Sequence, residues 1–455
     1  MSAPVLRFSV SRYEVSSRLP LLLVMAMSWP LVASADTFHV APPPAGSDTH
    51  PGTQGEPWAT LQHAADSVAA GDTVIVHEGD YVGMQIVVSG TAGSPIAFRA
   101  ASGETPRIVA DNASTPDGIN IEGADHIVIE GFQIDGRGRA GIRAVLCEHV
   151  TIRGNSFDLN QRWGVFTGFC DDLLIEGNSA SRSIEEHGVY VSNSGDRPII
   201  RGNRLFDNAA NGVHMNGDAS LGGDGVISDA LVENNLIFGN GASGGSGINC
   251  DGVQNSLIRN NLIYDTHASG ISLYRIDGGQ PSNGNRVFNN TILVASDGRW
   301  GINVRDGSSG NSIKNNIIYS RHGFRGALSV CPSCVSGLIS DHNVVEDRFS
   351  TDDGDSGLTL AQWQNDTGQD ANSIALQNET ALDALFRDGS GGDFRLVDGL
   401  AVDVGETLVD VPADLEGLSR PQGLAWDAGC YEGLGVVFTD GFESGDMVAW
   451  SSVSP

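Results

Sequence analysis

LIEGNSASRSIEEHGVYVSNSGDRPIIRGNRLFDNAANGVHMN (174–216) contains two short patterns, each present twice. IEGN (175–178) returns as IRGN (200–203), and GVYV (188–191) returns as GVHM (212–215). Outward from this stretch the first pattern continues as IEGF (129–132), IRGN (152–155), VENN (232–235), IRNN (258–261), FNN (288–290), IKNN (313–316) and DHN (341–343). Its asparagines are Asn155, Asn178, Asn203, Asn235, Asn261, Asn290, Asn316 and Asn343, at spacings of 23, 25, 32, 26, 29, 26 and 27 residues. Most helical solenoids need about 33 residues or more per repeat, whereas a coil of strands and turns fits in the twenties. The spacing predicts an all-β solenoid in which stacked asparagines bond the copies above and below at the ~4.8 Å strand separation.

The residue two before each asparagine supports the same register. It reads Glu130, Arg153, Glu176, Arg201, Glu233, Arg259, Phe288 and Lys314, so most stacked neighbours carry opposite charge and attract. Lys314, the only lysine, is thereby assigned to a structural ladder. The second pattern begins at Gly118, Gly141, Gly164, Gly188, Gly212, Gly247, Gly270 and Gly301. Mostly aliphatic residues follow at the first and third positions, and period two turns these inward. The column between them, Asn120, Arg143, Phe166, Tyr190, His214, Asn249, Ser272 and Asn303, is predicted to face out.

The termini differ from the repeats. Arg7, Arg12 and Arg18, the apolar run 19–32 and Ala33-Ser34-Ala35 form an export signal with cleavage expected before Asp36. PWATLQHAADSVAAGDTVIV (57–76) predicts a short helix, with Pro57 near its start and Gly71 past its end, that caps the coil and leads into a strand. The expected organisation is signal peptide 1–35, N-terminal cap and first turns 36–100, repeats 101–345, C-terminal turns and a cap over the far end at 346–434, and a tag at 435–455. No segment after the signal is long and apolar enough to span a membrane. The net charge of −30 opposes binding to nucleic acid. An acidic ligand would need local arginines or a bridging cation, and screening over ~8 Å makes local charge decisive.

Six cysteines suit an oxidising compartment. Cys147 and Cys170 each lie six residues after their repeat glycine, so a disulfide between adjacent turns is expected. CPSC (331–334) predicts a local disulfide or reactive pair, Cys250 a buried small residue, and Cys430 has no evident partner.

The repeats, together with AAGDTVIVHEGDY (69–81) and RPQGLAWDAGCYE (420–432), resemble bacterial secreted proteins of the pectate-lyase-like superfamily over nearly the whole mature chain. That resemblance implies a right-handed parallel β-helix with an N-terminal capping helix, a secreted, periplasmic or cell-surface protein read here as a monomer, and a polysaccharide bound along one sheet between turn loops. The superfamily includes lyases, uronate epimerases, glycoside hydrolases and adhesins, so activity must be read from the site. The chain departs from lysine-base lyases, since Lys314 belongs to the ladder, and lacks the three-aspartate cluster of polygalacturonases. The His/Tyr/Arg chemistry of some uronate lyases and epimerases is what remains.

On the outward column, His214 is the expected base, Tyr190 the acid, and Arg143 or Arg305 the carboxylate partner, with His187 and Glu186 next in line. Trp163, Phe166, Glu186, Asn216, Asn249, Asp251, Tyr274 and Arg305 are expected to bind substrate, and the long loop 216–230 to wall the groove. The bland alternative is a solvated sheet residue for His214, a stacking ladder for Tyr190 and Phe166, and pairing with neighbouring acids for Arg143 and Arg305; His322 and Arg325 are assigned to a structured turn. A non-catalytic carbohydrate-binding or adhesion protein needs the same aromatics and arginines without a base. A glycoside hydrolase would need two carboxylates, Glu186 with Asp218 or Asp251. No definite metal or other cofactor is marked; Asp352, Asp353 and Asp355 offer a Ca2+ site or, alternatively, a solvated acidic loop.

Overall fold

The structure is a computed structural model that describes residues 35–397 and 399–433. The export signal up to residue 34 and the segment 435–455 lie outside the described residues. The chain coils into three parallel sheets. The first has 12 strands, from Thr37–Val40 to Ile339–Asp341; the second has 11, from Met84–Ile86 to Phe349–Ser350; the third has 12, from Asp80–Val82 to Ile374–Leu376. Each complete turn contributes one strand to each sheet, and strands of the coil run from Thr37–Val40 to Ile374–Leu376.

The asparagine column lies at the corner between the first and third sheets. Asn178 donates from its backbone N–H and from Nδ2 to Asn203 Oδ1, at 2.9 and 3.1 Å, and Nδ2 also donates to Ile152 O at 2.9 Å. The same pattern runs from Asn155 to Asn343, all of them buried. Each amide satisfies backbone groups that the corner leaves without a ladder partner. The residue before each asparagine is left-handed: φ is 64° at Gly154, 62° at Gly177, 55° at Asn234 and 51° at Asn260. Glycine and asparagine tolerate that conformation best, which explains the change from RGN to NN along the repeats. A second buried amide column, Asn208 over Asn240, and a third, Asn285 over Asn311, escape the sequence reading because neither carries a fixed flanking motif.

The charge ladder starts one turn earlier than the sequence predicts, runs to Arg201, and resumes as Glu233 with Arg259 at 2.5 Å; among the described residues no ion pair joins Arg201 to Glu233. Arg99, Glu130, Arg153, Glu176 and Arg201 are linked at 3.3, 3.1, 4.0 and 2.6 Å. Lys314 leaves the ladder to bond Glu406 at 2.8 Å. The repeat glycines serve close packing rather than a turn: a Cβ on Gly164 would lie 2.7 Å from Ala180 Cβ and 2.7 Å from Gly188 O.

Two expectations change at the ends, the place of Pro57 and the course of the tail. Helix α1 is Leu61–Ser67, capped by Thr60 Oγ1, which accepts from His63 N at 3.2 Å; Pro57 and Gly71 lie outside it. It packs beside Met84–Ile86, where Gln62 bonds both Gln85 N (2.8 Å) and Gln85 O (3.1 Å). At the other end α2, Leu360–Thr367, lays the fully buried Trp363 on Phe349. The tail after α2 does not cover that end. It runs back along the outside, where Leu385, Phe386 and Phe394 pack on Leu262, Leu293 and Ile317, and Leu408 and Trp426 pack on Leu257 and Phe288. Outward positions of the first and third sheets are apolar there, so covering them buries more hydrocarbon than an end cap would. Disulfides join Cys147 to Cys170 and Cys331 to Cys334, and Cys250 and Cys430 are buried free thiols. Among the described residues no helix is long and apolar enough to cross a membrane.

Candidate functional site

The second sheet aligns Asn120, Arg143, Phe166, Tyr190, His214, Asn249, Ser272 and Asn303 on successive strands. Two loops rise beside it. Loop 216–230 and loop 275–280 are tied by Ala219 N to Asp277 O (3.0 Å) and Gly279 N to Gly225 O (2.7 Å). Leu221 and Ile276 stand exposed on them.

The middle of the column is an aromatic and histidine cluster. Trp163 stacks on Phe166 with centroids 4.5 Å apart, Phe166 meets Tyr190 edge-on at 5.4 Å, and Tyr190 lies parallel to His214 at 4.8 Å. Glu186 accepts from Trp163 Nε1 at 2.8 Å and faces Arg162 at 3.6 Å. Asn216 Nδ2 donates to the Tyr190 hydroxyl at 3.2 Å. Burial raises the Tyr190 phenol above its ordinary value, while the bond from Asn216 opposes that shift.

His187 and His214 form a directed pair. The Asn211 backbone N–H donates to His187 Nδ1 at 3.2 Å, and Asn211 Nδ2 lies 3.1 Å from the same atom. His187 Nδ1 is therefore an acceptor, the neutral ring carries its proton on Nε2, and Nε2 donates to His214 Nδ1 at 3.0 Å. By the same logic neutral His214 carries its proton on Nε2, which is buried without a partner. Burial lowers His214 to about 4 and His187 well below its ordinary value, so both rings are neutral near pH 7. His214 thus presents an N–H donor where the sequence predicts a base.

Other predicted residues are placed differently from expectation. Arg143 is engaged by Asn120 (2.7 Å) and Glu122 (2.9 Å), and Arg305 by Asp353 (3.2 Å), so neither is a free carboxylate partner. Asp251 accepts from the N–H groups of Ile276, Asp277 and Gly278 at 2.8–3.0 Å and so shapes the loop. Asn249 Nδ2 donates to the Tyr274 hydroxyl at 2.8 Å. In the DDGD loop Asp352 is occupied by Ser350 and Ser356 and Asp353 by Arg305, and among the described residues no trio of His, Cys, Asp or Glu converges as a metal site. His322 Nδ1 accepts from Phe324 N and Arg325 N, the structured turn expected there.

Beyond Asn249 the face opens into two adjoining depressions of about 330 and 290 Å3. Both are lined by Ser269, Arg299, Asn303 and Arg305, with Tyr274 in the first and Trp300 and Arg325 in the second. Sequence reasoning missed Asn211, Asp277, Arg299 and Trp300. The signal for one of them was present: Trp163, His187 and Trp300 all immediately precede a repeat glycine.

A family model described as Pel9A-like, right handed beta helix region, matches residues 38–170. The solved structure of pectate lyase Pel9A superposes with a TM-score of 0.56 at 18% identity, covering 88% of this chain and 96% of that one. The chain shares the parallel β-helix fold of that structure. A second model, for the periplasmic copper-binding protein NosD, matches residues 224–326 of this β-helix protein. An uncharacterized protein of Bacillus subtilis, YwoF, is 36% identical over 106 residues, 22% of each chain. Pectate lyase PEL9 of Emericella nidulans is 36% identical over 96 residues, 20% of this chain and 22% of that one. The β-helix protein thus aligns with about a fifth of the length of these curated relatives.

Proposed function

We propose that the chain acts outside the cytoplasm on an acidic, uronate-containing polysaccharide, as a lyase or epimerase, with the polymer laid along the second sheet. The observation that carries this is the Tyr190–His214 pair: a buried, unpartnered N–H beside a phenol held by Asn216, on an open face walled by two loops. The two disulfides suit an oxidising compartment.

The directions of the hydrogen bonds support roles opposite to those expected from sequence. His214 Nε2–H donates to the uronate carboxylate and stabilises the charge that develops when C5 loses its proton. Tyr190, as the phenolate, takes that proton. In elimination it returns the proton to the departing 4-oxygen as the C4–O bond breaks and the C4–C5 double bond forms; in epimerisation a water on the opposite face gives C5 its proton, and Tyr190 passes its own through solvent to the hydroxide that remains. Phe166 and Trp163 supply stacking surface for sugar rings. The test incubates the protein with a panel of polyuronates and follows ultraviolet absorbance of unsaturated product and the C5 configuration by proton NMR. Turnover on one polyuronate that is lost in Tyr190→Phe supports the reading. Binding without either product by the wild type overturns the catalytic part and leaves a carbohydrate-binding protein.

A further inference from the structure

We propose that the depression lined by Arg299, Arg305 and Arg325 is a subsite for an anionic group of a sugar, a carboxylate or a sulfate ester, on the polysaccharide whose reacting residue lies at Tyr190 and His214. The inference rests on the polymer lying along the second sheet as described above. In a chain of net charge −30, Arg299 and Arg325 form no ion pair among the described residues, yet both line the same concavity. Arg305 enters it as well, held by Asp353 at 3.2 Å. Asp353 and Asp355 lie on its wall and Asp306 on that of the adjoining depression, so three guanidinium groups face two carboxylates in this pocket. A cation would be repelled, whereas a planar fork with spare donors matches a carboxylate or sulfate.

A second observation points to the rest of the ligand. Asn303 Oδ1, on the floor, is buried and accepts no hydrogen bond. A buried acceptor without a donor is costly, and a hydroxyl would satisfy it. A ligand that brings an anion to the arginines and a hydroxyl to Asn303 is a sugar acid or a sulfated sugar. Asn303 lies three strand pairings from His214, through Asn249 and Ser272. At the spacing of adjacent strands that is about 14 Å. One monosaccharide cannot reach both places, so the ligand is an oligomer with a charged residue downstream of the reacting one.

The test compares wild type with the double variant Arg299→Gln, Arg325→Gln by calorimetric titration. The probes are polygalacturonate, its fully methyl-esterified form and dextran sulfate. Both arginines are surface groups without partners, and the pair Arg299→Lys, Arg325→Lys, which keeps the charge, controls for altered folding. The expected loss is about tenfold in affinity per arginine, the weight of one charge-assisted hydrogen bond. A loss on polygalacturonate but not on its ester identifies a carboxylate; a loss on dextran sulfate alone identifies a sulfate ester. Equal affinity of variant and wild type for both polyanions overturns the subsite and leaves the proposed function standing. Failure of the wild type to bind any polyanion overturns the proposed function and the subsite with it.

Discussion

The outward column of the second sheet is continuous in register but divides into two regions of different chemistry. From Trp163 to Asn216 the side chains bond one another: the tryptophan to Glu186, the tyrosine to Asn216, one histidine to the next. From Asn249 to Asp355, among the described residues, Arg299 and Arg325 form no ion pair and the amide oxygen of Asn303 is left without a donor. The first region is pre-organised, with rings packed and tautomers set by neighbours, as proton transfer requires. The second has polar capacity to spare, as binding requires. The same backbone thus supports a reacting centre and a recognition surface, and the difference lies only in which groups are satisfied internally.

The sharpest way to break the comparison is at Tyr190 and His214. Tyr190→Phe or His214→Ala is expected to lower turnover by roughly 10²- to 10⁴-fold, the span of acid–base and electrostatic contributions. The double arginine variant is expected instead to raise KM on a polyuronate. Steady-state kinetics on both variants decides whether the regions are functionally separate; a collapse of kcat in the arginine variant would merge them.

The disulfides offer a structural version of the test. Cys147 and Cys170 join adjacent strands of the first region across 23 residues, while Cys331 and Cys334 close only three beside the second. By loop length, losing the first destabilises by about 3 kcal/mol and losing the second by about 2. Denaturant melts of Cys147→Ser/Cys170→Ser and Cys331→Ser/Cys334→Ser are expected to rank in that order.

Smaller again is the effect of the histidine pair's direction. His187→Phe removes the donor to His214 Nδ1 and frees the tautomer, and a loss of roughly tenfold in kcat, one hydrogen bond, is expected. Nitrogen NMR of the wild type should show His214 protonated at Nε2. With Tyr190 raised and His214 near 4, the pH–rate profile should climb on the alkaline side and show no limb near 6.5. A limb near 6.5 that vanishes in His214→Ala would restore histidine as the base.

The weakest expected effect is on stability in acid. Unfolded His214 binds its proton with the ordinary value of 6.5, but the folded ring does so only at about 4. The unfolded state therefore holds more protons between those values, and this contribution is complete above pH 6.5, falls as the pH drops towards 4, and is flat below. His187 acts in the same sense. Thermal melts across this window should show a shallower acid decline in His214→Gln than in wild type.

Much of the molecule was legible in the sequence because it repeats. The asparagine column, the charge ladder, the outward column and the Cys147–Cys170 bridge each follow from equal offsets on successive turns, and strand pairing converts equal offsets into contact. Offsets alone could not assign roles. For Arg143 and Arg305 the sequence leaves open both a carboxylate partner and pairing with neighbouring acids, and only the structure shows that Glu122 and Asp353 reach them. Asp251 reads as a substrate-binding residue in the sequence because nothing in its own segment reveals that loop 276–278 wraps its carboxylate.

By itself, then, the sequence determined the coil, its register, its inward and outward faces and which residues share a column, since these depend on local periodicity and the constant strand spacing. Only the tertiary structure decided the rest. The tail's return along the flank, the tautomers of His187 and His214 and the arginines left unpaired all depend on groups from different turns and loops meeting at hydrogen-bonding distance. Loops of unequal length carry no period, so no spacing in the chain encodes where they land.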